Sequence, residues 1–434
     1  MSTKANQATM LGELSSLGRS SLIANLGTSK KQRLALAFLA AMLLIHAGSW
    51  WASRDRLRAG YQDFTIFYTA GTMLSQGGGA RLYDNALQFR RQQEFAPHVT
   101  IRKGPLPYNH LPIEAVIFVP FAKLPYFQAY LVWELLNLLA LAGALFILRP
   151  HLSAFRSQPL VLWVLFGLAF FPVFAALLQG QDILPLLLVF ALAYSAMRKN
   201  ASFAAGCWLG LGLFRFPLVL PFVLIVARRK PWRLMAGFTL AGALMAVASA
   251  AVVGWKQTLL YPAYVMRVEW TSIGPIAPEN MPNLRGLIET GLSGVASWRM
   301  VVGIIVFLSL ALLWLCSSSW KLDADGARFD LGFSLAIIAA VLASYHAYVY
   351  DLSVLLIPVL LIANDCRTRP KGRSQWAMVT PILVLFLTPL HLALLLRFRT
   401  ACLLSIVLLI WFWGIAQEIS RGFQHPEAHL CDLP

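Results

Sequence analysis

Apolar stretches long enough to cross a membrane recur along this chain and constrain its fold more than any motif. The first covers residues 34–51, and others follow as far as residue 420. A helix needs roughly 20 apolar residues to cross about 30 Å of hydrocarbon. Hydrophobic residues form 58% of the chain and charged residues 13%, against roughly 45–50% and about 25% in average soluble domains. We therefore expect an all-α polytopic membrane protein.

About twelve segments are predicted to cross or enter the membrane. The first is expected to remain as an anchor, because about 30 mostly polar residues precede it and no small-residue cleavage pattern follows. The predicted segments are 34–51, 127–148, 160–178, 182–197, 202–214, 216–227, 232–253, 298–316, 331–345, 347–363, 377–396 and 400–420.

Two of these segments, 202–214 and 216–227, are too short to cross alone, since each spans only about 18–20 Å at 1.5 Å per residue. Basic clusters at 198–199 and 228–233 flank the pair. The positive-inside rule assigns both clusters to the cytoplasm. The sequence thus predicts a broken hairpin with Arg215-Phe216-Pro217 at its tip, at membrane depth or beyond.

This hairpin gives a topology with both termini inside. Residues 1–30 and 421–434 are expected to be cytoplasmic tails, and residues 31–420 a single transmembrane domain. Its long outer loops are 52–126, which contains amphipathic helices, and 254–297. The first loop is rich in arginine although it lies outside. Loops longer than roughly 60 residues escape the positive-inside rule, so an anionic partner is the simplest explanation.

The formal net charge of +17 does not indicate a nucleic-acid partner. Lysine and arginine are spread between the apolar segments, and no nucleic-acid motif accompanies them. Basic cytoplasmic loops account for most of this charge. No CxxC pair or disulfide framework is present among the five cysteines.

Asp63 is the strongest candidate for an acid or base. It lies in the first outer loop, directly before an apolar stripe with helical spacing that begins at Phe64. A carboxylate there can act as a general base at the membrane surface. The alternative is an ordinary N-cap, since aspartate commonly caps helices. The two roles are compatible.

Arg215 is the second candidate, because an ionisable side chain at membrane depth is costly and usually functional. It can bind a phosphate, or it can snorkel or pair inside the bundle. Further polar patterns are a turn, Gln179-Gly180-Gln181-Asp182; a segment of the second outer loop, Asn283-Leu284-Arg285-Gly286-Leu287; and a polar pair, His346 and Asp351, set among Tyr345, Tyr348 and Tyr350.

An ordered set of motifs resembles glycosyltransferase family 87, the bacterial polyprenol-phosphate-mannose-dependent mannosyltransferases of the GT-C superfamily. The resemblance covers roughly residues 34–420. Its motifs are Asp63-Phe64 with Tyr68, Leu82-Tyr83-Asp84, Leu111-Pro112, Pro120 to Leu124-Pro125, Trp133 with Asn137, Gly180-Gln181, Gly206 to Gly210, Arg215-Phe216-Pro217, Asn283-Leu284-Arg285-Gly286, and His346 to Asp351.

The resemblance implies a GT-C-like bundle that transfers a sugar, typically mannose, with inversion. The donor is a polyprenyl phosphate, the acceptor a glycolipid or glycan hydroxyl, and the active site faces the periplasm from the bacterial inner membrane. Asp63 would be the catalytic base. Donor phosphate binding is expected from Arg215, Arg285 and His346, and the substrate cavity from Tyr68, Tyr83, Gln181, Tyr348 and Asp351.

The chain departs from the family pattern at two positions. Arg215-Phe216-Pro217 replaces the usual Lys-Pro, and Asn109-His110-Leu111-Pro112 replaces the usual Tyr-Pro-Pro. These changes bear on the sugar and the lipid more than on the type of reaction. Inversion needs one base and a stabilised phosphate, so no metal and no cofactor is expected.

Three other interpretations remain open at this point. A transporter or flippase would share the membrane segments and the buried arginine but would not need Asp63. A different GT-C activity, such as glucosyl or arabinosyl transfer, would share the site. A non-catalytic scaffold of envelope assembly would need neither Asp63 nor the site.

Overall fold

A computed structural model describes residues 30–99, 104–270, 276–320, 322, 326–368 and 376–424, and every regular element in these ranges is helical. The predicted all-α class is therefore confirmed. Most of the two predicted tails, 1–29 and 425–434, lies outside the described residues.

Nineteen α-helices are described, together with several 3-10 segments and one π-helical segment, Ala393–Phe398. The first ten are α1 (Lys30–Ala59), α2 (Phe64–Ser75), α3 (Asn85–Phe95), α4 (Glu114–Ile117), α5 (Tyr126–Leu148), α6 (Leu160–Ala169), α7 (Phe171–Gln179), α8 (Ile183–Arg198), α9 (Ser202–Leu211) and α10 (Phe216–Ala227). The others are α11 (Trp232–Val253), α12 (Trp255–Trp270), α13 (Leu284–Gly291), α14 (Trp298–Ser319), α15 (Gly326–Ala343), α16 (Leu356–Thr368), α17 (Trp376–Phe386), α18 (Thr388–Leu392) and α19 (Leu404–Gln424).

In the described ranges, eight helical stretches are long and apolar enough to cross a membrane, or up to ten if two bent pairs are included. This confirms a multi-pass protein but not the predicted number of about twelve segments. The bends are 80° between α6 and α7 and 67° between α17 and α18. Pro172 and Pro389 lie in the first turns of α7 and α18, where proline disfavours helical continuation from the preceding residue.

The chain turns at Arg215, although residues 202–227 count as one span by length and composition alone. Arg215 contacts Asp182 at the start of α8. Phe222 in α10 packs on Phe190 in α8, with 5.1 Å between ring centroids. Helix α10 therefore runs in the same direction as α8, whereas α9 follows α8 after a short turn and packs back along it. These contacts support the predicted hairpin.

Both ends of this hairpin lie near the connection between α14 and α15. Arg198, just before α9, donates to the Gly326 carbonyl at 3.0 Å. Arg228, just after α10, donates to the Ser317 and Ser318 hydroxyls at 3.0 and 2.8 Å. The two basic clusters thus lie on the same side of the bundle, as the positive-inside rule requires of a hairpin.

Glycine allows α9 to lie directly against α11. A Cβ added at Gly206 would lie 2.8 Å from the Leu234 carbonyl carbon and 2.8 Å from the Phe238 nitrogen, both backbone atoms. Gly210 and Gly237 approach the facing helix equally closely. Small residues that bring helix backbones together are a main source of packing energy in membranes. This crossing fixes the hairpin and therefore the position of Arg215.

Helix α2 begins directly after Asp63, and most of its residues are buried. Phe64 and Phe67 are fully buried against Phe118 and Trp133. This aromatic cluster packs the first outer region onto α5 and is separate from the large core formed mainly by α5–α10, α15 and α16. The site described next lies where the outer region meets the ends of α7, α8 and the hairpin.

Candidate functional site

A cavity of about 780 Å³ opens between the first outer region, the hairpin tip and the second outer loop. This volume falls within the roughly 300–1,000 Å³ range of small-molecule sites. Segments far apart in sequence contribute its polar side chains, which include Asp63, His110, Gln179, Gln181, Arg215, Glu269, His346 and Tyr348.

Asp63 lies immediately before α2 and lines the cavity. Its side chain makes no capping hydrogen bond to α2, so an N-cap alone does not explain this aspartate. Gln181 Nε2 donates to Asp63 Oδ2 at 2.7 Å, and the Asp63 backbone N–H donates to Gln179 Oε1 at 3.3 Å. The carboxylate is therefore oriented from α7 and the turn after it.

The turn at Gly180 determines where Gln181 lies. Gly180 has φ +65°, and an added Cβ would come within 2.6 Å of the Phe64 Cβ. Glycine alone meets both conditions without strain. The Gly180 carbonyl accepts from Trp133 Nε1 at 3.0 Å. Gln181 can then donate to Asp63 and accept from Arg215, so it bridges the acid and the cation.

Arg215 is 8% exposed and lies between two carboxylates. Its guanidinium donates to Asp182 Oδ1 and to Gln181 Oε1, and Nη1 lies 3.3 Å from Asp351 Oδ1. Arg215 is therefore paired with carboxylates inside the bundle. Arg215 also lines the cavity, so pairing does not exclude contact with a substrate.

Glu269 is a cavity residue that the sequence analysis missed. Its Oε2 accepts from Arg285 Nη1 at 2.7 Å, and its Oε1 lies 2.8 Å from His346 Nδ1. Burial alone would raise the pKa of Glu269, but His346 and Arg285 together hold it below its ordinary value. Glu269 is the only acidic residue of α12, and that isolation in an outer-loop helix was the available signal.

Arg285, which is predicted to bind the donor phosphate, is not among the described residues that line the cavity. Besides Glu269, it donates through Nε to Glu289 Oε2 at 3.0 Å and through Nη1 to the Tyr345 carbonyl at 2.9 Å. It is 3% exposed. Arg285 therefore lies behind Glu269 and His346 and holds them from the second outer loop.

Three further predicted residues also lie outside the cavity lining. The Tyr68 hydroxyl donates to the Leu124 carbonyl at 2.9 Å, and the Tyr83 hydroxyl donates to the His110 carbonyl at 2.8 Å, so both tyrosines pack in the outer region. Asp351 accepts from the Tyr348 backbone N–H at 2.8 Å and lies behind Arg215. Asp351 contacts Arg215, whereas His346 Nδ1 lies against Glu269, so the two residues of the predicted polar pair have different charged neighbours.

A second acidic cluster surrounds His110, which itself lines the cavity. His110 Nδ1 is 3.1 Å from Glu114 Oε2 and 3.7 Å from Asp182 Oδ2. Burial and the neighbouring Asp182 raise the pKa of Glu114 well above its ordinary value. Burial alone would raise the pKa of Asp182 too, but Arg215 and His110 hold it below its usual range. Burial lowers the pKa of His110 to about 3, so its imidazole is neutral.

These features define a multi-pass membrane protein with a polar cavity at the ends of its helices. The sequence model of glycosyltransferase family 87 matches residues 110–344, just over half of the chain. The chain belongs to glycosyltransferase family 87, and it is a membrane glycosyltransferase with a sugar donor and an acceptor as substrates. The matched range includes Gln181, Arg215 and Glu269 but not Asp63 or His346. No curated protein and no solved structure matches the chain.

Proposed function

We propose that the protein transfers a hexose, with mannose the first to test, from a polyprenyl phosphate to an acceptor hydroxyl. The reaction would take place on the periplasmic face of the bacterial cytoplasmic membrane, without a soluble nucleotide donor. The observation that carries this proposal is the cavity in which Gln181 joins the Asp63 carboxylate to the Arg215 guanidinium. It brings a base and a cation to one opening.

Asp63 is the base in this mechanism. The acceptor oxygen forms a bond to the anomeric carbon, the bond from that carbon to the phosphate oxygen breaks, and its electron pair leaves with the polyprenyl phosphate. The acceptor's proton passes to Asp63. Gln181 holds the carboxylate through its Oδ2. General base catalysis of this kind typically contributes about 10²–10⁴-fold to the rate.

The departing phosphate gains negative charge and needs donors close by. Arg215 and His346 line the cavity and are the side chains proposed to meet it. Charge-assisted hydrogen bonds from such donors are stronger than neutral ones and act where charge develops. Both donors are engaged with carboxylates, Asp182, Asp351 and Glu269. The donor phosphate would therefore share or displace these contacts when it binds.

Arg285 has an indirect role in this scheme. It holds Glu269, and Glu269 in turn lies against His346. Arg285 is therefore proposed to position the phosphate-binding wall of the cavity without touching the donor. Replacing it should raise the donor KM more than it lowers kcat.

The test is a transfer assay with purified protein in detergent or nanodiscs. Polyprenyl-phosphate mannose, polyprenyl-phosphate glucose and GDP-mannose are each incubated with a bacterial lipid extract, and products are identified by mass spectrometry. The proposal expects a new hexosylated product and free polyprenyl phosphate with a lipid-linked donor only. A product from GDP-mannose alone, or movement of donor across vesicles without any transfer, would contradict it.

A further inference from the structure

The cluster of His110, Glu114 and Asp182 has the donor set of a metal site. It offers one imidazole nitrogen and two carboxylates, and one ligand atom from each residue lies within 4.8 Å of the others. Ligand atoms on a tetrahedral ion with bonds of about 2.0–2.1 Å are about 3.3 Å apart. The two separations from His110 Nδ1, 3.1 Å to Glu114 and 3.7 Å to Asp182, lie on either side of that value.

Two carboxylate oxygens in this cluster are buried without a nitrogen or hydroxyl donor, and the carboxyl groups of Glu114 and Asp182 lie within hydrogen-bond reach of each other. The two oxygens are Glu114 Oε1 and Asp182 Oδ2, and their residues are only 4% and 2% exposed. A buried carboxylate oxygen without a partner is costly, so it usually indicates a missing ion, water or proton. Asp182 Oδ2 lies on the side of His110, whereas Asp182 Oδ1 accepts from Arg215. One carboxylate can therefore serve the guanidinium and a second cation at the same time.

The charge around the cavity independently favours a cation. Among the residues that the structure describes, five carboxylates lie in its wall or directly behind it, against two guanidinium groups, those of Arg215 and Arg285. The carboxylates are those of Asp63, Glu114, Asp182, Glu269 and Asp351. Such an excess of negative charge would repel a donor that carries a phosphate. Protons or a metal ion can remove the excess.

We propose that His110, Glu114 and Asp182 bind a divalent transition-metal ion of the Zn²⁺ or Mn²⁺ type. The mixed nitrogen and oxygen donor set favours such an ion over Ca²⁺ or Mg²⁺, which prefer oxygen ligands alone. This site revises the expectation that the protein needs no metal.

The ion would act on the cavity through Asp182. If Asp182 binds both the metal and Arg215, the metal would hold the Arg215 side chain, and with it the hairpin tip, in one position. The ion would also offset carboxylate charge near the proposed phosphate position. The proposal concerns metal binding itself, and its failure is therefore distinguishable from failure of the proposed sugar transfer.

The experiment measures metal content directly. Tag-free protein is stripped with EDTA, incubated separately with Zn²⁺ or Mn²⁺, desalted, and assayed by inductively coupled plasma mass spectrometry. The wild type should retain about one equivalent of at least one ion. Glu114→Gln and Asp182→Asn should retain less than about a tenth of that amount. Glu289→Gln, which removes a carboxylate on the far side of Glu269, should retain the full equivalent and serves as the matched control.

A second measurement uses the wild type alone, so it remains informative if the variants fail to fold. X-ray absorption at the metal edge of the loaded wild type should show one imidazole nitrogen with oxygen ligands, and metal should raise its melting temperature. Retention of no stoichiometric metal by the wild type would overturn the proposal in favour of a proton shared by Glu114 and Asp182. Equal retention by a folded Glu114→Gln variant, or an oxygen-only first shell, would overturn it too.

Discussion

Replacing Glu269 by glutamine should destabilise the protein far more than the same change at Glu289, although both carboxylates bind Arg285. The Glu269 side chain is 1% exposed and contacts both Arg285 and His346, whereas that of Glu289 is 24% exposed. Glu269→Gln preserves shape and a hydrogen-bond acceptor but leaves a buried guanidinium with less compensating charge.

The size of the effect follows from burial. Removing one partner of a buried ion pair costs about 3–5 kcal/mol, and the amide acceptor with the remaining Glu289 contact should bring Glu269→Gln to about 2–3 kcal/mol. Glu289 is partly exposed and its pair with Arg285 is better screened than that of Glu269, so Glu289→Gln should cost less, about 1 kcal/mol. Denaturant unfolding in detergent, followed by tryptophan fluorescence, measures both free energies.

The pH dependence of the unfolding free energy tests whether the negative charge of Glu269 is the stabilising factor. The pKa of Glu269 is lowered in the folded protein from an ordinary value of 4.5. Its stabilising contribution is therefore fully present above about pH 4.5 and is lost as pH falls through the folded pKa. The stability difference between wild type and Glu269→Gln should be constant near neutrality and shrink below about pH 4.5. Equal losses in both variants, or a difference that grows in acid, would refute this reasoning.

Three further substitutions test the fold and the site. Gly206→Ala should lower unfolding free energy by about 1–3 kcal/mol, because a Cβ there meets the backbone of α11, whereas Gly303→Ala, with open space around it, should change it by less than about 0.5 kcal/mol; equal melting temperatures would contradict the helix crossing. Gln181→Leu should lower kcat at least about tenfold, since Asp63 loses its orienting amide, and an unchanged kcat would contradict that role. Arg215→Ala should weaken transfer through a higher donor KM or a lower kcat, measured by varying donor concentration, and an unchanged donor dependence would leave Arg215 purely structural.

The membrane architecture and the hairpin could be predicted because they follow from local properties. A membrane segment is recognised from the hydrophobicity of its own residues. The basic clusters at 198–199 and 228–233 then predict that the chain between them enters and leaves the membrane on the same side. The number of segments stays a prediction, because length and composition admit up to ten among the described residues: Ile183–Arg198 has only 16 residues, and residues 202–227 count as one span. Sequence pattern alone does not distinguish a crossing helix from one that bends back.

The candidate site could be predicted only in part. Asp63, Gln181, Arg215, His346 and Tyr348 were singled out and do meet at one cavity. The partners of these residues were missed because ion pairs such as Glu269 with His346 join distant segments.

The remaining differences from the prediction concern two tyrosines and one glutamate. Tyr68 and Tyr83 are aromatic residues of the kind expected in a sugar-binding cavity. Their hydroxyls instead donate hydrogen bonds to backbone carbonyls of the outer region. Glu114 gave no signal, since a single glutamate in an apolar stretch is informative only once Asp182 and His110 are known to surround it.

The most direct test of the account is the rate of sugar transfer by Asp63→Asn from a polyprenyl-phosphate hexose in a single turnover. The matched control is Asp55→Asn, in the same outer region, whose side chain is 81% exposed. The account predicts that Asp63→Asn remains folded and loses at least about 10²-fold in rate, while Asp55→Asn stays within about twofold of the wild type. A folded Asp63→Asn variant that transfers sugar at the wild-type rate would contradict it.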